Sequence, residues 1–269
     1  MKYFLLKFFL IFFLITNTSS LFAHEMWLEP LNFSPTTNDT FQAHIKVGQK
    51  FNGETFPYIN EETQSTKLFL QKKEIKLKHR DGDFPAIQSV IPKRGLYVLT
   101  YQSNPEQVNY SNFEQFKFFL KEENIWEHWS KENPSFINTK IKEIYTRYAK
   151  SLIQVGDSYE KDFYTGMPME LVALENPYAP GNNKGISVLL QYNNKPFANS
   201  PVTIFRKKNN NTHVEKIITD QNGKAFIKFN EGGKFLINAV HLIKNNQANA
   251  DWHSLWASLT FEKNFYNKN

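Results

Sequence analysis

Lys216-Ile-Ile-Thr-Asp-Gln-Asn-Gly-Lys-Ala-Phe-Ile-Lys-Phe229 decides the fold class. Two short apolar runs flank Asp220-Gln-Asn-Gly223, a tight turn made of residues that accept positive φ. Both runs read as strands. The same pattern extends outward through Ile186-Ser-Val-Leu-Leu190, Val202-Thr-Ile-Phe205, Phe235-Leu-Ile-Asn-Ala239 and Leu255-Trp-Ala-Ser-Leu-Thr-Phe261. Short strands at this spacing, with Asn, Gly and Pro between them, imply a β-sandwich.

Towards the N-terminus the pattern recurs. Phe41-Gln-Ala-His-Ile-Lys-Val47 sets Phe41, Ala43, Ile45 and Val47 on one face and Gln42, His44 and Lys46 on the other, a half-buried strand. Lys67-Leu-Phe-Leu70, Glu74-Ile-Lys-Leu-Lys-His79 and Leu96-Tyr-Val-Leu-Thr-Tyr101 follow it, separated by turn formers. Composition shifts at Asn104-Pro105. Between Ser111 and Ser151 the residues Phe113, Phe116, Leu120, Ile141, Ile144, Tyr145, Tyr148 and Leu152 recur at helical spacing, interrupted by Asn133-Pro134. This spacing predicts two helices packed on the sandwich, the first capped by Ser111 with Glu114.

The phrases Asn194-Lys-Pro-Phe-Ala-Asn-Ser-Pro-Val202, Thr219-Asp-Gln-Asn-Gly-Lys-Ala-Phe226 and Gly232-Gly-Lys-Phe235 resemble transthyretin-like or carboxypeptidase-regulatory sandwiches. The expected class is therefore mainly β, with two Ig-like or transthyretin-like β-sandwich domains and a short helical insertion between them. The boundaries are 1–23 for a leader, 24–104 for the first sandwich, 105–182 for the helical insertion and connecting segment, 183–264 for the second sandwich and 265–269 for a tail.

The leader is a signal peptide by its parts: Lys2 and Lys7, the apolar run Phe8 to Ile15, a polar stretch, and Ala23 at the cleavage edge. The expected location is the periplasm, and the expected mature N-terminus is His24. No later apolar run is long enough to span a bilayer. The absence of cysteine excludes disulfides, thiolate metal sites and thiol catalysis. A formal charge of +6 is spread along the chain without a nucleic-acid motif, and reads as solvated surface. No nucleophile elbow, phosphate-binding Gly loop, His-Glu-x-x-His or dinucleotide fingerprint is present, which argues against an enzyme.

Five separated motifs carry a further resemblance. They are Ala23-His-Glu-Met-Trp-Leu-Glu-Pro30, the Val47-Gly48 strand end, Glu143-Ile-Tyr-Thr-Arg-Tyr-Ala-Lys150, Met169-Glu-Leu-Val-Ala-Leu-Glu-Asn-Pro177 and Trp252-His-Ser-Leu-Trp-Ala-Ser-Leu-Thr-Phe-Glu262. Together they resemble the exported bacterial family called domain of unknown function 4198. The resemblance implies a periplasmic accessory component of nickel or cobalt uptake, whose partner is a membrane transporter for those ions. His253 departs from the acidic or neutral residue expected at that place.

The residues themselves point to a metal at His24. Cleavage before it would place an α-amine and an imidazole on one residue, a chelate that suits Ni(II) and Cu(II). A further histidine would complete the site. His241 shares strand parity with Phe235, Ile237 and Ala239, and His253 with Leu255, Ala257 and Leu259, so both are expected to point inward. His44 lies on the polar face of its strand, as a surface residue or a ligand. Glu25 is near enough to add an oxygen. The candidate ligands are thus His24, His241, His44 and Glu25, for nickel or cobalt, with copper as an alternative. Two other readings stand beside this one: a metal-free sandwich that binds a protein or glycan, and a copper oxygenase built on a histidine brace. His79, His128 and His213 read as surface.

Overall fold

The computed structural model describes residues 24–136, 138, 140–246 and 248–265. The predicted leader, 1–23, and positions 266–269 of the tail lie outside the described residues. In chain order the first strands are β1 (Glu25–Pro30), β2 (Thr40–Gln49), β3 (Asn52–Phe56), β4 (Thr63–Leu70), β5 (Lys73–Ile75), β6 (Ile87–Val90), β7 (Gly95–Ser103) and β8 (Glu106–Tyr110). Helices α1 (Phe113–Glu122) and α2 (Trp126–Glu132) follow. The chain then returns to strands: β9 (Ile141–Val155), β10 (Met169–Ala173), β11 (Gly185–Tyr192), β12 (Lys195–Pro196), β13 (Pro201–Lys208), β14 (Asn211–Ile218), β15 (Lys224–Lys228), β16 (Gly233–Lys244) and β17 (Trp252–Lys263). The protein is mainly β and sandwich-built, with a short helical insertion, as the strand spacing predicts.

One large sheet, ordered β14-β13-β16-β17-β9-β7-β4-β5 with β8 also on β9, forms a central layer. A front sheet, β1-β2-β3 with β6 on β2, covers one of its faces, and a back sheet, β10-β11-β12 with β15 on β11, covers the other. Strand parity makes this possible, because successive side chains leave a strand on opposite sides. On β9, Tyr148 and Leu152 enter the core under the back sheet, whereas Ala149, Ile153 and Val155 enter the core under the front sheet. Leu255, Ala257, Leu259 and Phe261 of β17 face the back sheet, and Trp252 and Trp256 face the other way. Full burial of such side chains stabilises the fold by roughly 1.5–3 kcal/mol each. The two sandwiches therefore share their middle layer. It takes strands from the first stretch, the inserted stretch and the last stretch of the chain.

The turn at Asp220–Gly223 forms where the sequence places it. Gly223 has φ +71°, and its N–H donates to the Asp220 carbonyl at 3.0 Å. The flanking strands do not pair with each other: β14 joins β13 in the central sheet and β15 joins β11 in the back sheet. This turn is a corner between layers.

The helical reading of Ile141 to Leu152 is corrected. That segment is β9, which pairs in parallel with β17 and antiparallel with β7 and β8. Because β9 is covered on both faces, its sequence has no two-residue alternation, and its buried aromatics mimic a helical stripe. Both helices lie before Asn133, and Pro134 follows the end of α2. The cap also moves by one residue. Asn112 accepts from the Gln115 N–H at 3.0 Å, and the Ser111 N–H donates to Gln115 Oε1 at 2.9 Å. The helices cover the central sheet through aromatic contacts, Phe116 stacking on Trp252 at 6.2 Å and Phe119 on Trp256 at 5.9 Å. Among the described residues no helix is long and apolar enough to cross a membrane.

Candidate metal centre

Three elements meet where β1 begins. Glu25 pairs opposite Gly48, just before the reversal that joins β2 to β3. That reversal brings Gly48 and Gly53 face to face, so that a Cβ on Gly48 would lie 2.1 Å from the Asn52 carbonyl oxygen. Lys50 and Phe51 complete it with φ values of +53° and +61°. The C-terminal turn of α1 closes the third side. His24, Glu25, Gln49, Lys50, Phe119, Glu122 and Glu123 line a cavity of about 40 Å³ there, room for one or two waters or a bare cation.

Arg147 of β9 anchors this corner from below. Its Nε donates to the His24 carbonyl at 3.2 Å, its guanidinium pairs with Glu106 at 3.4 Å, and it stacks on the Tyr145 ring at 4.4 Å. Burial, and then the Arg147 charge, hold the His24 imidazole below its ordinary pKa, which favours the neutral, metal-ligating form. Its Nδ1 is buried without a hydrogen-bond partner.

The carboxyls around it are displaced in the opposite direction. Burial is the main reason that Glu25 is pushed up to about 7; Glu122 adds to the effect, while backbone hydrogen bonds and Lys50 oppose it. Glu123 is pushed well above the carboxylate range, by burial first and by the charge of Glu25 second. Behind them, fully buried Glu143 accepts from Tyr110 at 2.7 Å and is bonded to Ser254, and burial pushes it up to about 7. Carboxyls gathered with few cations hold protons, and a divalent cation could displace them.

The candidate ligands do not assemble as one site. His24 and Glu25 share the cavity. His44 pairs opposite Glu29, farther along the strands and on the outer face of the front sheet, with its ring 5.4 Å from Phe84. His241 lies on the other face of the central sheet, between Tyr192 at 4.7 Å and Phe197 at 4.3 Å. Burial chiefly, and then the His128 charge, push His241 down to about 4. It does face inward, as its parity predicts, and so does His253, which is bonded to Thr146 Oγ1 at 2.9 Å. His79 is not simply at the surface, because it stacks on Tyr58 at 4.3 Å. Among the described residues no three of His, Asp and Glu are gathered in a metal-holding arrangement.

Sequence reasoning missed Glu122 and Glu123 in this cavity. Their signal was an acidic pair at the end of the Phe116 to Leu120 apolar run, normally a solvated helix end. It also missed Glu143 and the Lys150, Asp162 and Glu170 cluster, since charged residues in strands or in the segment joining them read as solvent-facing.

Among curated proteins none matches the chain. One solved structure, the D0-D1 domain of Intimin, is similar at 13% identity over 87% of this chain and 96% of that one, with a TM-score of 0.21. The family model described as "Domain of unknown function (DUF4198)" matches residues 21–243. That span is most of the chain, which therefore belongs to this family.

Proposed function

We propose that the chain is an exported, non-enzymatic protein that captures a divalent late first-row cation, nickel or cobalt, at His24 and passes it to a membrane transporter. Cleavage after Ala23 would give His24 its α-amine, so one residue supplies two nitrogens. A preformed triad of side chains is then not required. The observation that carries this reading is the buried, unpartnered Nδ1 of His24 on a cavity shared with Glu25, Glu122 and Glu123. Imidazole and amine nitrogens with a carboxylate oxygen suit Ni(II) and Co(II), and Cu(II) more tightly still.

The test is calorimetric titration of mature protein, its N-terminus verified by mass spectrometry, with Ni(II), Co(II), Cu(II) and Zn(II). One equivalent of Ni(II) or Co(II) is expected. His24→Ala, and a single residue added before His24, are each expected to weaken binding at least tenfold. Unchanged affinity in both variants would remove His24 from the site. A second reading, a metal-free sandwich that binds a partner, draws on Phe84, Val90 and Leu31, which are 60%, 57% and 54% exposed. Absence of stoichiometric binding by all four metals would favour it.

A further inference from the structure

Lys150 and Asp162 are both fully buried at their side chains, deep between the central and back sheets. Lys150 Nζ lies 3.1 Å from Asp162 Oδ1 and 3.3 Å from Oδ2. Near-equal distances to both oxygens mean that the nitrogen faces the carboxyl carbon. Contact with both oxygens sets the nitrogen beside the carbon that carries them, so the two groups that would react are already held together. On another side of the same nitrogen stands Glu170, paired with it and equally buried. The Phe163 carbonyl accepts from it at 2.9 Å.

The acceptor carboxyl is held in place. Asp162 Oδ1 accepts from the Phe163 N–H at 2.7 Å, and Oδ2 from the Ala173 N–H at 2.8 Å. Glu170 is fixed in the same way by the N–H groups of Thr165 and Met167. Around them Tyr148, Leu152, Leu171 and Ala173 form a buried apolar wall. Two carboxylates buried with one ammonium leave a net negative charge in this core, a costly arrangement.

We infer that Lys150 and Asp162 condense in the folded protein into an intramolecular isopeptide bond, with Glu170 relaying the protons. Glu170 takes a proton from the Lys150 ammonium. The freed Nζ lone pair bonds to Asp162 Cγ, and the displaced electron pair collects on a carboxyl oxygen that a backbone N–H holds as an oxyanion hole. Collapse of this adduct breaks one C–O bond. Of the three ammonium protons, one stays on the amide nitrogen and two leave with the departing Asp162 oxygen as water. The sum is ammonium plus carboxylate giving amide plus water, with no oxidant, reductant or co-reactant. One opposite-charge pair disappears from the core, and the new amide N–H keeps an acceptor in Phe163 O or Glu170.

Mass spectrometry of the purified, folded chain decides the matter, once its N-terminus has been identified. The intact mass is expected to fall below that of the linear sequence by one water. A tryptic digest is expected to show peptide 148–161 joined to peptide 162–184, without cleavage after Lys150. Asp162→Asn would expel ammonia instead of water and so reach the same final mass as the wild type. Glu170→Gln is expected to keep the linear mass. A folded wild-type chain with its full linear mass, cleaved normally after Lys150, overturns the inference; should either variant fail to fold, the wild-type peptides alone decide.

Discussion

At the scale of single residues, His24 and His241 are both partly buried, yet they do different things. His24 presents an unpartnered nitrogen to a cavity, whereas His241 is wedged between two aromatic rings. His241→Phe is therefore expected to leave Ni(II) affinity unchanged. It should also alter the acid limb of stability. The folded value of His241, about 4, lies below its ordinary 6.5, so the unfolded chain binds the proton more readily, and stability is lost as pH falls through that window. The variant should lose less stability on acidification, as urea titrations near pH 7 and near pH 5 will show. The sequence told which way His241 and His253 point, because strand parity is a local property. It could not tell that His44 and His241 lie on different layers from each other, which depends on how three sheets stack.

At the scale of elements, β9 is the strand on which sequence reading failed most and which organises most of the molecule. Its two-sided burial erased the alternation that identifies ordinary strands, while β2, buried on one face only, was legible. The Asp220–Gly223 corner was legible for a different reason, since Asn222-Gly223 states its backbone conformation directly. β9 also carries Glu143. Its folded value of about 7 exceeds the ordinary 4.5, so the folded state holds more protons between those limits. The stability it contributes is complete below about 4.5 and is lost as pH rises through about 7, a span worth about 3 kcal/mol. Glu143→Gln keeps hydrogen-bonding atoms for Tyr110 and Ser254 while removing the titration. It is expected to be more stable than the wild type near pH 8 and to show a flatter pH dependence, measured by urea unfolding.

At the scale of the whole molecule, the central sheet joins segments that the sequence suggests as separate blocks. β4 pairs with β7, β7 with β9, and β9 with β17, so the early strands are tied into the sheet through β9. Urea unfolding is accordingly expected to give coincident transitions by far-ultraviolet circular dichroism and by tryptophan fluorescence. Fragment 24–104 alone should remain unfolded, and a stable, cooperatively melting fragment would contradict this. The position of β17 has a consequence for truncation. β17, the last of the described strands, lies in the middle of the central layer, between β16 and β9. A premature stop that removes 252–263 would thus not trim a margin; it would separate β9 from β16 and bare the apolar faces of both remaining halves. The central layer therefore cannot close until the chain has been made as far as β17, and until then the early strands wait with their apolar faces open.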